Sequence, residues 1–250
     1  MRAATLFGTA VALAMTALPA SAQDAAPKVT FTGSAAVVSN YTFRGISQTT
    51  NDPAVQAGIS MSAPSNIYAG FWGSSINFGE AASVVASEDG GSAEMDLFAG
   101  IRPTVGPLAL DLGATFYGYP GSDSDLNYSF IEFALGASHA FPNFTVGAKA
   151  AVSPDFFAGS GTATYFGGNL AVPVPSTTLS FFGSVGLQNI EENATFGIGP
   201  DHYMDWSAGA SVGVLGLTLG ATAVGTDLSK AECLGGTEFC KAQVIFSVTK

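Results

Sequence analysis

Val29-Thr30-Phe31-Thr32-Gly33-Ser34-Ala35-Ala36-Val37-Val38-Ser39-Asn40-Tyr41-Thr42-Phe43-Arg44 is the stretch on which the reading of this chain turns. Val29, Phe31, Gly33, Ala35, Val37, Tyr41 and Phe43 fall on odd positions, and Thr30, Thr32, Ser34, Asn40, Thr42 and Arg44 on even ones. Successive side chains of a strand point to opposite faces. Alternation over about eight pairs therefore predicts one long strand with an apolar face and a polar face.

The same period returns along the chain at 55–62, 94–102, 108–117, 131–138, 144–149, 179–188, 204–212, 217–222 and 241–248. Two weaker stretches, 66–78 and 162–172, complete a set of about twelve strands. In the first of these both parities carry aromatics, so its faces stay unassigned. The connections alternate in length. Short ones hold Pro or Gly at 63–66, 106–107, 141–143, 173–176 and 215–216; long ones fall near 45–52, 79–92, 119–127, 153–162, 189–202 and 227–240. Short turns at one rim and long loops at the other are the layout of an outer-membrane β-barrel. The expected fold is thus all-β, a transmembrane antiparallel barrel with short periplasmic turns and all six long loops outside.

Charge placement points the same way. Arg44, Glu94, Asp96, Arg102, Asp111, Glu132, Lys149, Asp205 and Lys241 lie inside the proposed strands, and every one takes the polar parity of its strand. A midplane Lys or Arg facing lipid costs about 2–4 kcal/mol. These nine are therefore read as lumen-facing. Five are acids and four are bases, so the lumen is expected to be nearly neutral.

Residues 1–22 read as a cleaved signal peptide. Arg2 supplies the positive segment, Ala10–Met15 lies in a short apolar run, and Ala20-Ser21-Ala22 is an A-x-A-like cleavage site. The barrel would then occupy 23–250. The chain is 47% hydrophobic but only 11% charged, with a net charge of −11. That balance excludes a basic nucleic-acid footprint. No run after residue 22 approaches the ~20 residues a membrane helix needs. Export permits a disulfide, and Cys233 and Cys240 are expected to close one across the last long loop. Two thiols with no nearby His do not make a metal site.

The first strands carry more than pattern. Ser39-Asn40-Tyr41-Thr42-Phe43-Arg44-Gly45-Ile46-Ser47-Gln48 is followed by Asp52-Pro53-Ala54-Val55-Gln56-Ala57-Gly58. Tyr68-Ala69-Gly70-Phe71-Trp72-Gly73-Ser74, Glu94-Met95-Asp96-Leu97-Phe98-Ala99-Gly100 and Tyr117-Gly118-Tyr119-Pro120 come next. Together these resemble the TorF family, Gram-negative outer-membrane proteins assigned as porins. The resemblance is specific over residues 30–120 and implies an outer-membrane barrel. Outer-membrane chains commonly end on an aromatic residue used in assembly; here Phe246 is followed by Ser247-Val248-Thr249-Lys250, a departure from that pattern.

Arg44 admits two readings: a cation near the pore mouth that steers an anionic solute, or a structural salt bridge to Glu94 or Asp96. Small lumenal residues, among them Gly113, Gly136, Ser138 and Gly147, favour an opening. Ser138 and His139 are strand neighbours that face opposite ways, so they cannot act as nucleophile and base. His202 lies beside Asp201 in a loop. No catalytic, cofactor-binding or metal site is expected. Phe31, Phe43, Phe116, Phe141 and Trp206 suit an interfacial aromatic girdle. The loops are acidic, with Glu80, Glu88, Asp89, Asp123, Asp125, Glu191, Glu192, Asp201, Asp227, Glu232 and Glu238. They form either a plain solvated surface or a vestibule that concentrates cations. The expected function is a porin-like channel for passive diffusion of small solutes or ions, with weak cation selectivity arising at the rim. The alternative is a closed, non-conducting barrel with a structural or adhesive role. Expected partners are outer-membrane lipid, the barrel-assembly machinery and the solutes themselves, with no nucleic acid.

Overall fold

The computed structural model describes residues 28–79 and 90–250. The expected signal segment 1–22 and the loop acids Glu80, Glu88 and Asp89 lie outside the described residues. Twelve long strands form a meander: β1 (Thr30–Val38), β2 (Ala54–Ser62), β3 (Ile67–Ser75), β4 (Ala93–Ile101), β5 (Leu108–Gly118) and β6 (Phe130–Ala140), then β7 (Thr145–Ser153), β8 (Ala163–Pro173), β9 (Leu179–Ile190), β10 (His202–Val214), β11 (Leu217–Thr226) and β12 (Gln243–Thr249). Each pairs antiparallel with the next. β1 also pairs with β12 through Ala36↔Thr249, Val37↔Val248 and Val38↔Ser247, which closes the ring. Closure lets a sheet satisfy its backbone groups from strand to strand, as hydrocarbon surroundings demand.

The two faces are inverted relative to a water-soluble protein. Phe31, Val55, Leu97, Phe133, Phe166, Val185 and Phe246 stand exposed on the outside, while Gln56, Glu94, Glu132, Gln188 and Asp205 are buried within. An exposed apolar wall around a polar interior suits lipid as the surrounding solvent. On β3 the structure settles the ambiguous parity: Tyr68 faces inward and is buried, whereas Phe71 is exposed on the outer face. No helix among the described residues is long and apolar enough to cross a membrane.

At one rim the strands are joined by tight turns. Leu215 (φ 51°) and Gly216 (φ 77°) make a two-residue hairpin with positive φ at both centres, the twist that matches flanking strands. At the other rim the connections are long, and their apolar residues pack into the upper half of the barrel. Tyr119, Leu126, Tyr128, Phe156, Ile198 and Leu228 are buried there together with Val38, Tyr41 and Ile46.

Two expectations need correction. The first strand does not run to Arg44. It ends at Val38, and residues 39–53 turn into the barrel instead of standing outside as a loop at 45–52. The alternation continues past Val38, yet both parities are buried from Asn40 to Thr42, because this segment is enclosed on all sides by wall and loops. Phe43 accordingly belongs to the interior, edge-on to Tyr117 at 5.7 Å, and not to an outer girdle. Lys241 is the second correction. It is 53% exposed in the last long connection and pairs with Glu238 at 3.7 Å. The β11–β12 ladder ends at Val224↔Gln243, so Lys241 lies beyond the wall and cannot face the lumen.

Candidate functional site

Residues 39–53 form a plug. Thr42-Phe43 pairs with Ile46-Ser47 in a miniature hairpin, with Arg44 (φ 48°) and Gly45 (φ 80°) at its tip. The left-handed backbone explains a glycine here, and the surroundings require it independently. A Cβ on Gly45 would lie 2.6 Å from Thr226 Cγ2 and 2.8 Å from the Gly225 carbonyl oxygen, so the tip is pressed against the wall. The root of the plug is a polar network. Asn40 Nδ2 donates to Gln243 Oε1 at 2.8 Å, and Asn40 Oδ1 accepts from Ser47 Oγ at 2.8 Å and Thr49 Oγ1 at 2.9 Å. Asn51 Oδ1 accepts from Gln243 Nε2 at 3.1 Å, and the Ser47 amide donates to the Phe239 carbonyl at 2.9 Å. Each buried polar group that is satisfied this way escapes a desolvation cost of about 1–3 kcal/mol.

Arg44 carries the plug across the lumen. Its guanidinium donates to Glu132 on β6 and to Gln188 on β9. It also lies 4.1 Å from the ring centre of Tyr165 on β8 and 4.7 Å from that of Phe43. Arg44 and Glu132 are 2% and 3% exposed. Lys149 on β7 takes the other oxygen of Glu132 at 3.2 Å. The partner is therefore Glu132, not the expected Glu94 or Asp96. Those two sit side by side on the inner face of β4, where Glu94 accepts the Tyr41 hydroxyl at 2.8 Å and Asp96 keeps one carboxylate oxygen without a hydrogen bond among the described residues. Asp205 on β10 is buried near the plug tip, 3.4 Å from the Tyr165 hydroxyl.

A separate cluster lies toward the short-turn rim. Arg102, one residue past β4, donates to Asp111 at 2.9 Å and stacks over Tyr68 at 3.8 Å, while the Tyr68 hydroxyl donates to Asp111 at 2.6 Å. His139 points outward, with Nδ1 2.9 Å from the Pro107 carbonyl oxygen, and His202 Nδ1 contacts Asp201 at 2.6 Å on the exposed rim.

Two of the small inward residues, Gly113 and Gly147, serve a different purpose from the expected one. A Cβ on Gly113 would lie 2.4 Å from the Tyr68 hydroxyl, and one on Gly147 would lie 2.5 Å from Asn169 Oδ1. A Cβ on Gly186 would lie 2.1 Å from the Tyr165 hydroxyl. These glycines are seats for large polar side chains laid flat along the inner wall, so they fill the lumen instead of widening it.

Above the plug the loops form an aromatic lid. Phe78, Tyr119, Tyr128 and Phe157 come from three connections, Tyr119 and Tyr128 from the same one, and meet at ring distances of 4.4–6.0 Å, with Tyr128 and Phe157 stacked. Cys233 and Cys240 are joined by a disulfide and fully buried. Thr226 Oγ1 donates to the Cys240 carbonyl at 2.9 Å, and a bridge between Ile198 and Cys233 ties the last two long connections together. The rim carboxylates are organised as well. The Thr162 amide holds the Glu191 carboxyl below its usual range, the Ser229 hydroxyl and amide do the same for Glu232, and Lys230 does so for Glu238.

The functional residues missed in the sequence are Tyr41, Tyr165 and Gln188. Their signal was indirect. Arg44-Gly45 has the form of a tight turn, and an inward Tyr165 with Gly167 two places along its own strand, paired with Gly186 on the next, marks a ring lying on the wall.

A solved structure shares this architecture, and others match more weakly. The NanC porin matches with a TM-score of 0.59 at 7% identity, over 87% of this chain and 98% of that one. LpxR from Salmonella typhimurium matches at 0.48 and 9%, over 87% and 99%. OccK11 (OpdR) from Pseudomonas aeruginosa matches at 0.46 and 8%, over 88% and 65%. At such identities the NanC likeness shows the fold alone. No curated protein matches the sequence. A family description matches residues 22–250, and the chain therefore belongs to the Gcw_chp family, bacterial proteins of unknown function.

Proposed function

We propose that this protein is an outer-membrane channel of the porin kind, exported by a signal peptide at 1–22, whose lumen passes small solutes when the plug at 39–53 is displaced. The resemblance to the TorF family supports the same reading. One observation carries it: the upper lumen is obstructed by a loop and not by the side chains of the wall itself, and that loop is anchored at root and tip through polar groups, with Tyr41 and Ile46 packed among apolar neighbours between them. Arg44, Asn40 and Asn51 grip the wall through hydrogen bonds and an ion pair, contacts that water can replace. In this reading the short turns face the periplasm and the long connections face outward.

A closed barrel with a structural role is the second reading. It is favoured by the depth at which Arg44 and Glu132 are buried. Planar-bilayer recording separates the two. The refolded chain should show rare, brief openings, and replacing Thr42–Ser47 by two glycines should give steady conductance. Silence from the replacement variant in a correctly folded barrel would decide for the closed form.

A further inference from the structure

We propose that Arg44 occupies a built receptor for a small organic cation, a guanidine or primary amine, and that the opened lumen takes solutes of this class. This rests on the plug being displaceable. The wall contributes four groups to the receptor. Glu132 supplies a carboxylate, Gln188 an amide oxygen, and Tyr165 a ring face 4.1 Å from the guanidinium carbon. Asp205 supplies a second carboxylate, of which one oxygen is buried and makes no hydrogen bond among the described residues. A carboxylate, a neutral acceptor and an aromatic face around one point are the elements of cation recognition. None of the four belongs to the plug, so all remain when Arg44 withdraws.

The charge balance of the wall points to the same ligand. Among the described residues the inner wall holds Glu94, Asp96, Asp111, Glu132 and Asp205 against Lys149 and, at the short-turn rim, Arg102. Asp111 is matched by Arg102, and Glu132 is shared between Arg44 and Lys149. Withdrawing Arg44 therefore leaves the carboxylates in clear excess in a confined space with low-dielectric walls. Such a space concentrates cations and repels anions. The expectation from the sequence placed cation preference at the rim. On this proposal the preference arises in the lumen instead, because Lys241 lies outside it and Arg44 sits on the plug.

The test uses the refolded full-length chain carrying Arg44→Ala, with methylguanidinium as the probe and methylurea as its neutral isostere. Methylguanidinium at millimolar concentration should raise the Tm of the variant by about 2–4 °C, as a ligand binding only the folded form does, and should reduce its current. Wild type should not respond, since its own Arg44 fills the receptor. Adding Glu132→Gln should abolish the response. Should Arg44→Ala fail to refold, Arg44→Gln, which keeps a side chain of similar reach without the charge, is tested by the same criteria. An equal response to methylurea, or none to methylguanidinium, overturns the receptor. Conduction without that response leaves the channel standing, whereas a Tm response in a barrel that never conducts upholds the receptor and overturns the channel.

Discussion

Arg44 and Glu132, 88 positions apart in sequence, meet inside the barrel as a fully enclosed ion pair, one from the tip of the plug and the other from the wall. Removing one partner of such a pair strands the other in a poorly solvated site, at about 3–5 kcal/mol. Arg44→Ala is cushioned, because Lys149 still contacts Glu132. We expect Glu132→Leu to be the more damaging single change, since it leaves Arg44 and Lys149 facing each other. Arg44→Met combined with Glu132→Leu should recover most of the loss. Urea unfolding of the refolded barrel in detergent measures all three, and additive losses would show that the pair is not coupled.

Gly186 lies under Tyr165, which in turn lies under the Arg44 guanidinium. A methyl group there has nowhere to go without moving the ring or Asp205, whose Oδ2 is 2.6 Å from the added carbon. Gly186→Ala should cost about 1–3 kcal/mol by overpacking. Gly168, whose added Cβ would approach only the Gly147 carbonyl oxygen at 3.8 Å, should accept alanine with little change. Equal losses at the two positions, read from thermal unfolding, would contradict the seating of Tyr165.

The rim carboxylates give a pH signature. Glu191 accepts the Thr162 amide at 2.8 Å, which lowers its folded value beneath the ordinary Glu range of about 4.3. A lowered folded value contributes to stability above about pH 4.3, and the contribution is lost as pH falls through the folded value. The Thr162 amide resonance should therefore titrate with a midpoint below that of an unstructured Glu. Glu191→Gln should flatten the titration. A midpoint at or above the ordinary value would remove the hydrogen bond from this account.

The disulfide closes a short loop, with the cysteines seven positions apart. Constraining so short a loop in the unfolded chain contributes about 2–3 kcal/mol, and its effect should be local. Reduction should leave the barrel intact by heat-modifiable migration on a gel. It should quicken tryptic cleavage after Lys230 and Lys241, which flank the bridge at the surface, by loosening the backbone that holds them. Loss of the folded barrel on reduction would show that the lid is essential to the wall.

The wall was legible in the chain because it depends on local pattern. Period-two alternation, short Pro- or Gly-bearing turns and the parity of Glu94, Asp96, Asp111, Glu132 and Asp205 all follow from a strand with two faces, one toward lipid and one away from it. The same local rule misled the reading at residues 39–44. Tyr41, Phe43 and Arg44 keep the alternation, yet they lie inside the ring and not in it. No local pattern distinguishes a strand that continues along the wall from one that turns inward. That choice rests on contacts between distant residues: Arg44 with Glu132 and Gln188, Asn40 with Gln243, and Gly45 against Gly225 and Thr226. Their energies exist only once the ring has closed and brought β6, β9 and β11 around the first connection. The sequence by itself determined a twelve-stranded barrel with a polar interior; only the tertiary structure decided that this interior is occupied by the chain's own arginine.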